Sequence, residues 1–368
     1  MIPDEPLPDA TREMLRRFHF ERVPFAALRD RTKPGADLEA AHRITRPLAP
    51  PPVGCGAVAP DEGTDAWRAL RDDGEAAIAR GELAAVVLSG GMATRFGSVV
   101  KALARLYEER PTRFLDVKLA DLARYPTVDA TLMTSFATDA AIRETLAREG
   151  HAHMNVAAQF ISLRLTPDGG LFRDNAGNPS AYAPGHGDLP DALATAGSLA
   201  RMRAKGVRTV LVSNVDNVGA TVDPVLFAMH RASKKQVSVE LVEKEPGDRG
   251  GLPVSCDGRL VLAEAFRLPK DFPADEFPLF NTNTLWIDLD ALEGEHPWTW
   301  CVARKKVDGR DAIQWERLIG ELTWWHSTHW LHVPRVGAAS RFIPVKDLSD
   351  LNTRRAAIET VLSARFGL

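Results

Sequence analysis

The sequence predicts an α/β fold, a mixed, mostly parallel sheet flanked by helices with a helical N-terminal lead-in. Three observations carry this. The run Leu83-Ala84-Ala85-Val86-Val87-Leu88 is apolar on both faces and stops at Gly90-Gly91, which suits a strand buried between two layers. Thr209-Val210-Leu211-Val212 has the same character and stops at Ser213-Asn214-Val215-Asp216-Asn217. Between them helical and strand patterns alternate, as crossover units require.

In chain order, Asp9 to Arg29 reads as helical, with Leu15, Phe18 and Phe20 at apolar positions. Thr45 to Pro60 holds Pro47, Pro50, Pro51, Pro52 and Pro60 and reads as an extended connector. Asp65 to Arg80 reads as an amphipathic helix with Trp67, Leu70 and Ala77 on one side. Residues 1–80 are therefore expected to be a helical region packed on a main domain of residues 81–335. Inside that domain, Thr131-Leu132-Met133 is a strand candidate and Ala140 to Glu149 a helix. Residues 336–368 form a short C-terminal segment, in which Leu351, Ala356, Ile358, Val361 and Leu362 suggest one amphipathic helix.

Composition excludes several classes. The 368 residues are 45% hydrophobic and 26% charged, with a net charge of −3, so a large core can form and no basic nucleic-acid footprint is present. Cys55, Cys256 and Cys301 are far apart and make no CxxC pair, which argues against a zinc site or disulfide framework and fits a reducing compartment. No apolar stretch approaches the roughly 18 residues that span a membrane. The acidic, proline-bearing start Met1-Ile2-Pro3-Asp4-Glu5 does not read as a signal peptide, so the expectation is a cytoplasmic protein.

The chemistry concentrates in a few segments. In Ser89-Gly90-Gly91-Met92-Ala93-Thr94-Arg95-Phe96-Gly97, adjacent glycines after a strand let the backbone approach a flat base or a phosphate. Arg95 can fork two phosphate oxygens and Lys101 adds a point charge. A glycine turn with solvated basic residues is the plainer alternative. The order is neither the phosphate loop GxxxxGK[ST] nor the dinucleotide fingerprint GxGxxG, which counts against a nicotinamide-dependent dehydrogenase. Pro184-Gly185-His186-Gly187-Asp188 makes a tight loop whose histidine can bond a base or phosphate, or simply lie on the surface. Asp216, past a buried strand, suits Mg²⁺ shared with substrate phosphates, or equally a helix cap. Further on, Lys244 precedes Gly250-Gly251, Glu264 ends an apolar strand, and Asn281 and Asn283 share one strand face by their period of two. Amides with a carboxylate are what sugar hydroxyls require, although strand-edge polar residues look the same. Lys346 follows the short strand Arg341-Phe342-Ile343-Pro344-Val345 and, taken alone, reads as a surface lysine.

The order of these segments is more specific than any one of them. Gly185-His186-Gly187-Asp188, Ser213 to Asp223, Phe280-Asn281-Thr282-Asn283, Ile313-Gln314-Trp315-Glu316 and Arg341 to Lys346 resemble the eukaryotic-type UDP-glucose pyrophosphorylase family. The resemblance runs from about Val86 to Leu351, roughly 70% of the chain. It implies a Rossmann-like, GT-A-like nucleotidyltransferase fold, with Mg²⁺ as cofactor and a nucleoside triphosphate and a sugar 1-phosphate as partners. It also implies roles. Arg95, Lys101 and Lys346 would be the catalytic cations and Asp216 the metal ligand. Gly90, Gly91, Gln159, Gly185 and His186 would bind the nucleotide. Gly251, Glu264, Asn281, Asn283 and Lys244 would bind the sugar phosphate. Such relatives continue into a β-helix, whereas here 22 residues follow Lys346, so a monomer or homodimer is expected.

The implied reaction is an in-line displacement. A sugar 1-phosphate oxygen attacks the α-phosphorus of the triphosphate and pyrophosphate leaves, with no protein nucleophile. UTP and glucose 1-phosphate are the favoured pair. A guanylyl or adenylyl transfer to a cyclitol or other sugar-analogue phosphate is the alternative within enzymes. A catalytically inactive nucleotide-sugar-binding regulator is the alternative outside them.

Overall fold

The computed structural model of the chain describes residues 7–93, 99–107 and 109–367. The lead-in holds α1 (Asp9–Arg17) and α2 (Phe25–Arg31), with α3 (Asp65–Ala79) after the connector. The expected single helix from Asp9 to Arg29 is therefore two helices. His19 takes a left-handed conformation at φ 56°, and Pro24 cannot continue a helix because it lacks an N–H. Leu15, Phe18, Phe20, Phe25 and Leu28 still find a common core, packed with Phe160, Leu163 and Trp315. In the connector, Leu48–Ala49 pairs with Ser255 and Cys256.

The strands that matter are β1 (Leu83–Leu88), β2 (Asp129–Thr134), β3 (Asn155–Ala158), β4 (Thr209–Asn214), β5 (Val237–Glu243), β6 (Gly251–Cys256), β7 (Arg259–Glu264), β8 (Leu279–Asp288), β9 (Cys301–Val307), β10 (Arg310–Glu316) and β11 (Thr328–His332). Seven of them form one sheet in the order β11-β5-β8-β4-β1-β2-β3. β4, β1, β2 and β3 run parallel, and β8 is antiparallel to both β4 and β5. The sheet is mixed and mostly parallel, as the sequence predicts.

Alternate residues of the buried strands feed opposite layers, which is why Leu83–Leu88 is apolar throughout and Thr209–Asn214 is apolar from Val210 to Val212. Ala84, Val86, Val210 and Val212 face α6 (Leu189–Thr195) and α7 (Ser198–Ala204) through Leu193, Leu199 and Met202. Leu83 and Leu211 face α3 and α8 (Pro224–Ser233) through Ile78 and Phe227. Toward β2, Val87 and Leu132 meet α4 (Phe114–Ala123) and α5 (Asp139–Arg148) through Val117 and Ile142. The C-terminal helix Leu348–Phe366 adds Ile358, Val361 and Leu362 to that same cluster, while Ala356 of the expected apolar face lies exposed. No helix among the described residues is long and apolar enough to cross a membrane.

β1 lies between β4 and β2, so the chain leaves it in one direction and returns on its other side. That reversal opens a crevice beyond the carboxyl ends of β1 and β4, the general ligand position of such sheets.

Candidate active site

The crevice is built from the segments that follow these strands. Leu88 pairs with Asn214, and the Val215 N–H donates to the Leu88 carbonyl at 3.1 Å, so the Gly-Gly turn and the Asp216 segment leave the sheet side by side. The Lys101 N–H then donates to Gly91 O at 3.2 Å, folding the glycine loop back on its base. The Lys101 ammonium is ion-paired with Asp216, both side chains being mostly sheltered at 14% and 20% exposure. Two residues 115 apart in sequence thus meet at the head of the crevice. Arg95 falls outside the described residues.

Lys346 arrives from the other side. The Val345 N–H donates to Asp216 O at 3.1 Å, and Pro344 bridges to Asn217, which lays the Arg341–Lys346 segment along the Asp216 loop. Lys346 is exposed, and among the described residues its ammonium has no ion pair or hydrogen bond. The carboxylate and one cation therefore sit paired, and Lys346 follows directly on Val345, whose N–H bonds the Asp216 carbonyl.

Gly90 and Gln159 form the next wall. A Cβ on Gly90 would come within 2.7 Å of Gln159 Nε2, so glycine is what allows the buried amide to lie against this turn. Ser135 Oγ donates to Gly90 O at 2.7 Å and holds the turn in place. Gly91 by contrast has open space around it.

The Gly-His-Gly-Asp loop does something the sequence did not foretell. Its glycines make room for protein: a Cβ on Gly185 would lie 2.6 Å from Arg317 O, and one on Gly187 2.5 Å from Arg317 C and Leu318 N. Asp188 is fully buried, accepts from Phe160 N and pairs with the Arg317 guanidinium, which also reaches Asp191 at 2.8 Å. His186 Nδ1 accepts the Ile319 N–H at 3.0 Å, which leaves the proton on Nε2 as a donor. Burial pushes the imidazole down to about 4, so it is neutral at physiological pH. The loop is a lock between β10 and α6. We expect Gly187→Ala to lower stability by about 1–3 kcal/mol, because backbone must move to admit the methyl group. A thermal melt within a degree of the parent would contradict this.

The residues expected to hold the sugar phosphate converge more tightly than their spacing suggests. Gly251 opposes Glu264 across β6 and β7, and a Cβ on Gly251 would lie 3.1 Å from both Glu264 Oε1 and Asn281 Nδ2. Asn283 is not simply two residues further along a flat strand. It has φ 57°, inside a bulge where β8 spends three residues opposite Glu240. The bulge turns its amide onto Asn214 Oδ1 at 3.1 Å, while its own N–H donates to Asn281 Oδ1 at 2.9 Å. Asn214, missed as a site residue, thereby links this cluster to the Asp216 segment. Glu264 is pushed up to about 7, chiefly by burial and partly by Glu316, against the lowering effect of Arg267. Lys244 stands apart in one respect: its ammonium donates to Ala274 O at 2.8 Å.

A set of buried charges the sequence gave no reason to select lies beneath the Asp216 loop. Lys118 donates to Asn217 O at 2.8 Å and to Ala220 O, Asp121 accepts from Val222 N at 2.8 Å, and Arg365 donates to Gly219 O at 2.6 Å. Arg341 donates to Thr221 O at 2.9 Å and is paired with the fully buried Glu240, which also accepts from Trp286 Nε1. The carbonyls of Asn217, Gly219, Ala220 and Thr221 and the Val222 N–H are held in this way, which anchors the backbone that carries Asp216.

Asp216 also fits a hard cation. Lys101 engages only its Oδ2, and among the described residues Oδ1 has no hydrogen-bond partner. No cluster of three or more His, Cys, Asp or Glu that could hold a metal occurs among the described residues. A single open carboxylate oxygen suits Mg²⁺, which binds through one or two carboxylates and lets substrate phosphates and water complete its octahedron.

Known proteins resemble this chain in sequence and in fold. The UTP–glucose-1-phosphate uridylyltransferase of Saccharomyces cerevisiae is 31% identical over 300 residues, covering 73% of this chain and 58% of the yeast protein. That of Hordeum vulgare is 28% identical over 327 residues, covering 83% of this chain and 64% of its own. The chain thus spans less than two thirds of these relatives' length. Among solved structures, a UDP-glucose phosphorylase from Trypanosoma brucei matches with a TM-score of 0.72 at 23% identity, over 91% of this chain and 74% of its own. A variant UDP-glucose pyrophosphorylase from Leishmania major in complex with UDP-glucose matches at 0.68 and 22% identity, over 94% and 79%. The sequence pattern of one family, described as UTP–glucose-1-phosphate uridylyltransferase, matches residues 59–361 and so takes in every candidate residue named above: the chain belongs to that family.

Proposed function

We propose that this chain is a nucleotidyltransferase that condenses UTP with glucose 1-phosphate, releasing pyrophosphate and forming UDP-glucose. The observation that supports it best is one of placement. Lys101 and Asp216 pair at the switch point of the sheet, the segment running into Lys346 is bonded to the Asp216 loop, and Gly90 and Gln159 lie to one side with Gly251, Glu264 and Asn281 to the other. Two polyanions brought to one place repel, and an in-line displacement needs little from protein beyond orientation and charge neutralisation.

In this reading Gly90 and Gln159 receive the base edge, and Glu264, Asn281 and Asn283 receive sugar hydroxyls. Lys101 and Lys346 neutralise charge on the phosphates, with Arg95 as a further cation from the glycine loop. A Mg²⁺ ion held by Asp216 would act as a Lewis acid on the phosphate oxygens. Lys101, already beside the carboxylate, then turns from partner of Asp216 to partner of the triphosphate. We place the protein in the cytoplasm as a monomer or homodimer, in keeping with its unpaired cysteines and with a C-terminal helix whose apolar face is spent on its own domain. Pyrophosphate release from each common triphosphate with several sugar and cyclitol phosphates tests the substrate assignment. The UTP and glucose 1-phosphate pair should give the highest kcat/KM; a guanosine or adenosine triphosphate leading the matrix would overturn it.

Glu264 makes the sugar side pH-dependent. As a carboxylate it accepts from hydroxyls, and its pKa of about 7 means that acidification removes that acceptor. With this single group, the KM for the sugar phosphate should rise by several-fold, up to about tenfold, between about pH 8 and about pH 6. Glu264→Gln should flatten the rise and leave the triphosphate KM unchanged. An identical profile in Glu264→Gln would contradict the assignment. Stability moves oppositely: the raised carboxyl favours the fold fully below its ordinary value of 4.5, and that contribution is lost as pH rises through about 7.

A further inference from the structure

Asn217 has no role in the reading above, yet its side chain joins both segments that frame the site. Only 1% of it is exposed. Its Nδ2 donates to Arg341 O at 3.0 Å, and its Oδ1 accepts from Ile343 N at 2.9 Å and from Gly219 N at 3.2 Å. One amide thus closes the Asp216 loop upon itself and sews that loop to the segment running into Lys346. Backbone contacts continue the seam, from Asn217 to Pro344 and from Val345 N to Asp216 O. The asymmetry of the amide matters: the partners are one acceptor and two donors, which a carboxylate or a leucine cannot satisfy together.

Arg341, donating to Thr221 O at 2.9 Å, and Arg365, reaching Gly219 O and Ser340 O, also join the two segments, but Asn217 is the side chain that reaches furthest toward Lys346, at Ile343 N. The segments are over a hundred residues apart, and Gly219 is packed so closely that a Cβ there would meet Arg341 C at 2.8 Å. Beneath them, Lys118 fixes the Asn217 carbonyl and Arg365 fixes that of Gly219. The loop is therefore anchored to the body of the protein, and Asn217 transmits that anchorage to the Lys346 segment.

We infer that Asn217 is a positioning residue that sets the distance between the Asp216 carboxylate and the Lys346 ammonium, and so decides whether the two can act on one phosphate group. This rests on the roles proposed for Asp216 and Lys346. It touches no substrate; its effect passes through Lys346. Misplacing a charged group by about an ångström costs turnover more than ground-state binding.

A double-mutant cycle on the full chain tests it. Asn217→Ala should lower kcat by roughly tenfold to a hundredfold, with both substrate KM values held within about threefold. In a Lys346→Ala background the same change should cost less than about threefold, because the group it positions is gone. Asn217→Asp keeps the acceptor for Ile343 and Gly219 and loses the donor to Arg341, so it should retain more turnover than Asn217→Ala. If circular dichroism shows Asn217→Ala unfolded, Asn217→Asp takes its place in the cycle. Equal factors in both backgrounds, or wild-type turnover in Asn217→Ala, would overturn the coupling alone. Unchanged turnover in Lys346→Ala by itself would overturn the active-site reading and the coupling with it.

Discussion

Asp216→Ala will reduce pyrophosphate release to background while the protein stays folded. The carboxylate sits on a loop whose carbonyls are held by Lys118 and Arg365, with Oδ2 on Lys101 and Oδ1 without a hydrogen-bond partner among the described residues. A loop so fixed presents its carboxylate at no reorganisation cost, which is where preorganised electrostatics gains its effect. Losing it removes the proposed cation site and also frees Lys101. A loss of more than about a thousandfold corresponds to about 4 kcal/mol of transition-state stabilisation. The fold should tolerate the change, since both side chains keep some contact with solvent and the freed Lys101 can turn its ammonium toward water. Parent enzyme in excess chelator should fall equally far and recover when Mg²⁺ is restored. Near-parental turnover in Asp216→Ala, or chelator-insensitive activity, would remove Asp216 and the metal from the account.

Lys346→Ala will lower kcat by roughly 10²–10³ and leave the triphosphate KM within a factor of a few. Lys346 is exposed and has no ion-pair partner among the described residues, so in the free protein its charge is unspent. Its backbone is nevertheless fixed against the Asp216 loop through Val345 and Pro344. A cation placed this way interacts most with charge that grows at the transferred phosphorus, so its removal should show in turnover. Steady-state kinetics with both substrates varied separates the outcomes. A raised triphosphate KM with kcat intact would mean that Lys346 binds the ground state and does no more.

The buried strands and the loops that follow them were legible because apolar runs ending in Gly-Gly or in Asn-Val-Asp reflect local rules, burial on both faces and a turn that side chains must vacate. The meeting of Gly251, Glu264 and Asn281 followed from family order, since three separate segments carry no mutual signal in spacing. Other features depended on partners far along the chain. Glycines 185 and 187 read as a ligand loop, and that they also accommodate the Arg317 backbone, 130 residues onward, is visible only in the fold. Asn281 and Asn283 read as a flat pair because a bulge opposite Glu240 leaves no trace in a period-two pattern. Lys118, Arg341 and Arg365 look like ordinary surface cations in sequence. Only the fold shows that each ends on a carbonyl of one loop. The break between α1 and α2 was signalled by Pro24 and overridden by the apolar spacing around it.

The most direct measurement mixes the purified chain with UTP, labelled glucose 1-phosphate and Mg²⁺, and follows labelled UDP-glucose together with pyrophosphate. The account predicts both products in equal amounts, with reversal on adding excess pyrophosphate. Saturable binding of UTP and glucose 1-phosphate with neither product formed would contradict it and leave a nucleotide-sugar-binding regulator in its place.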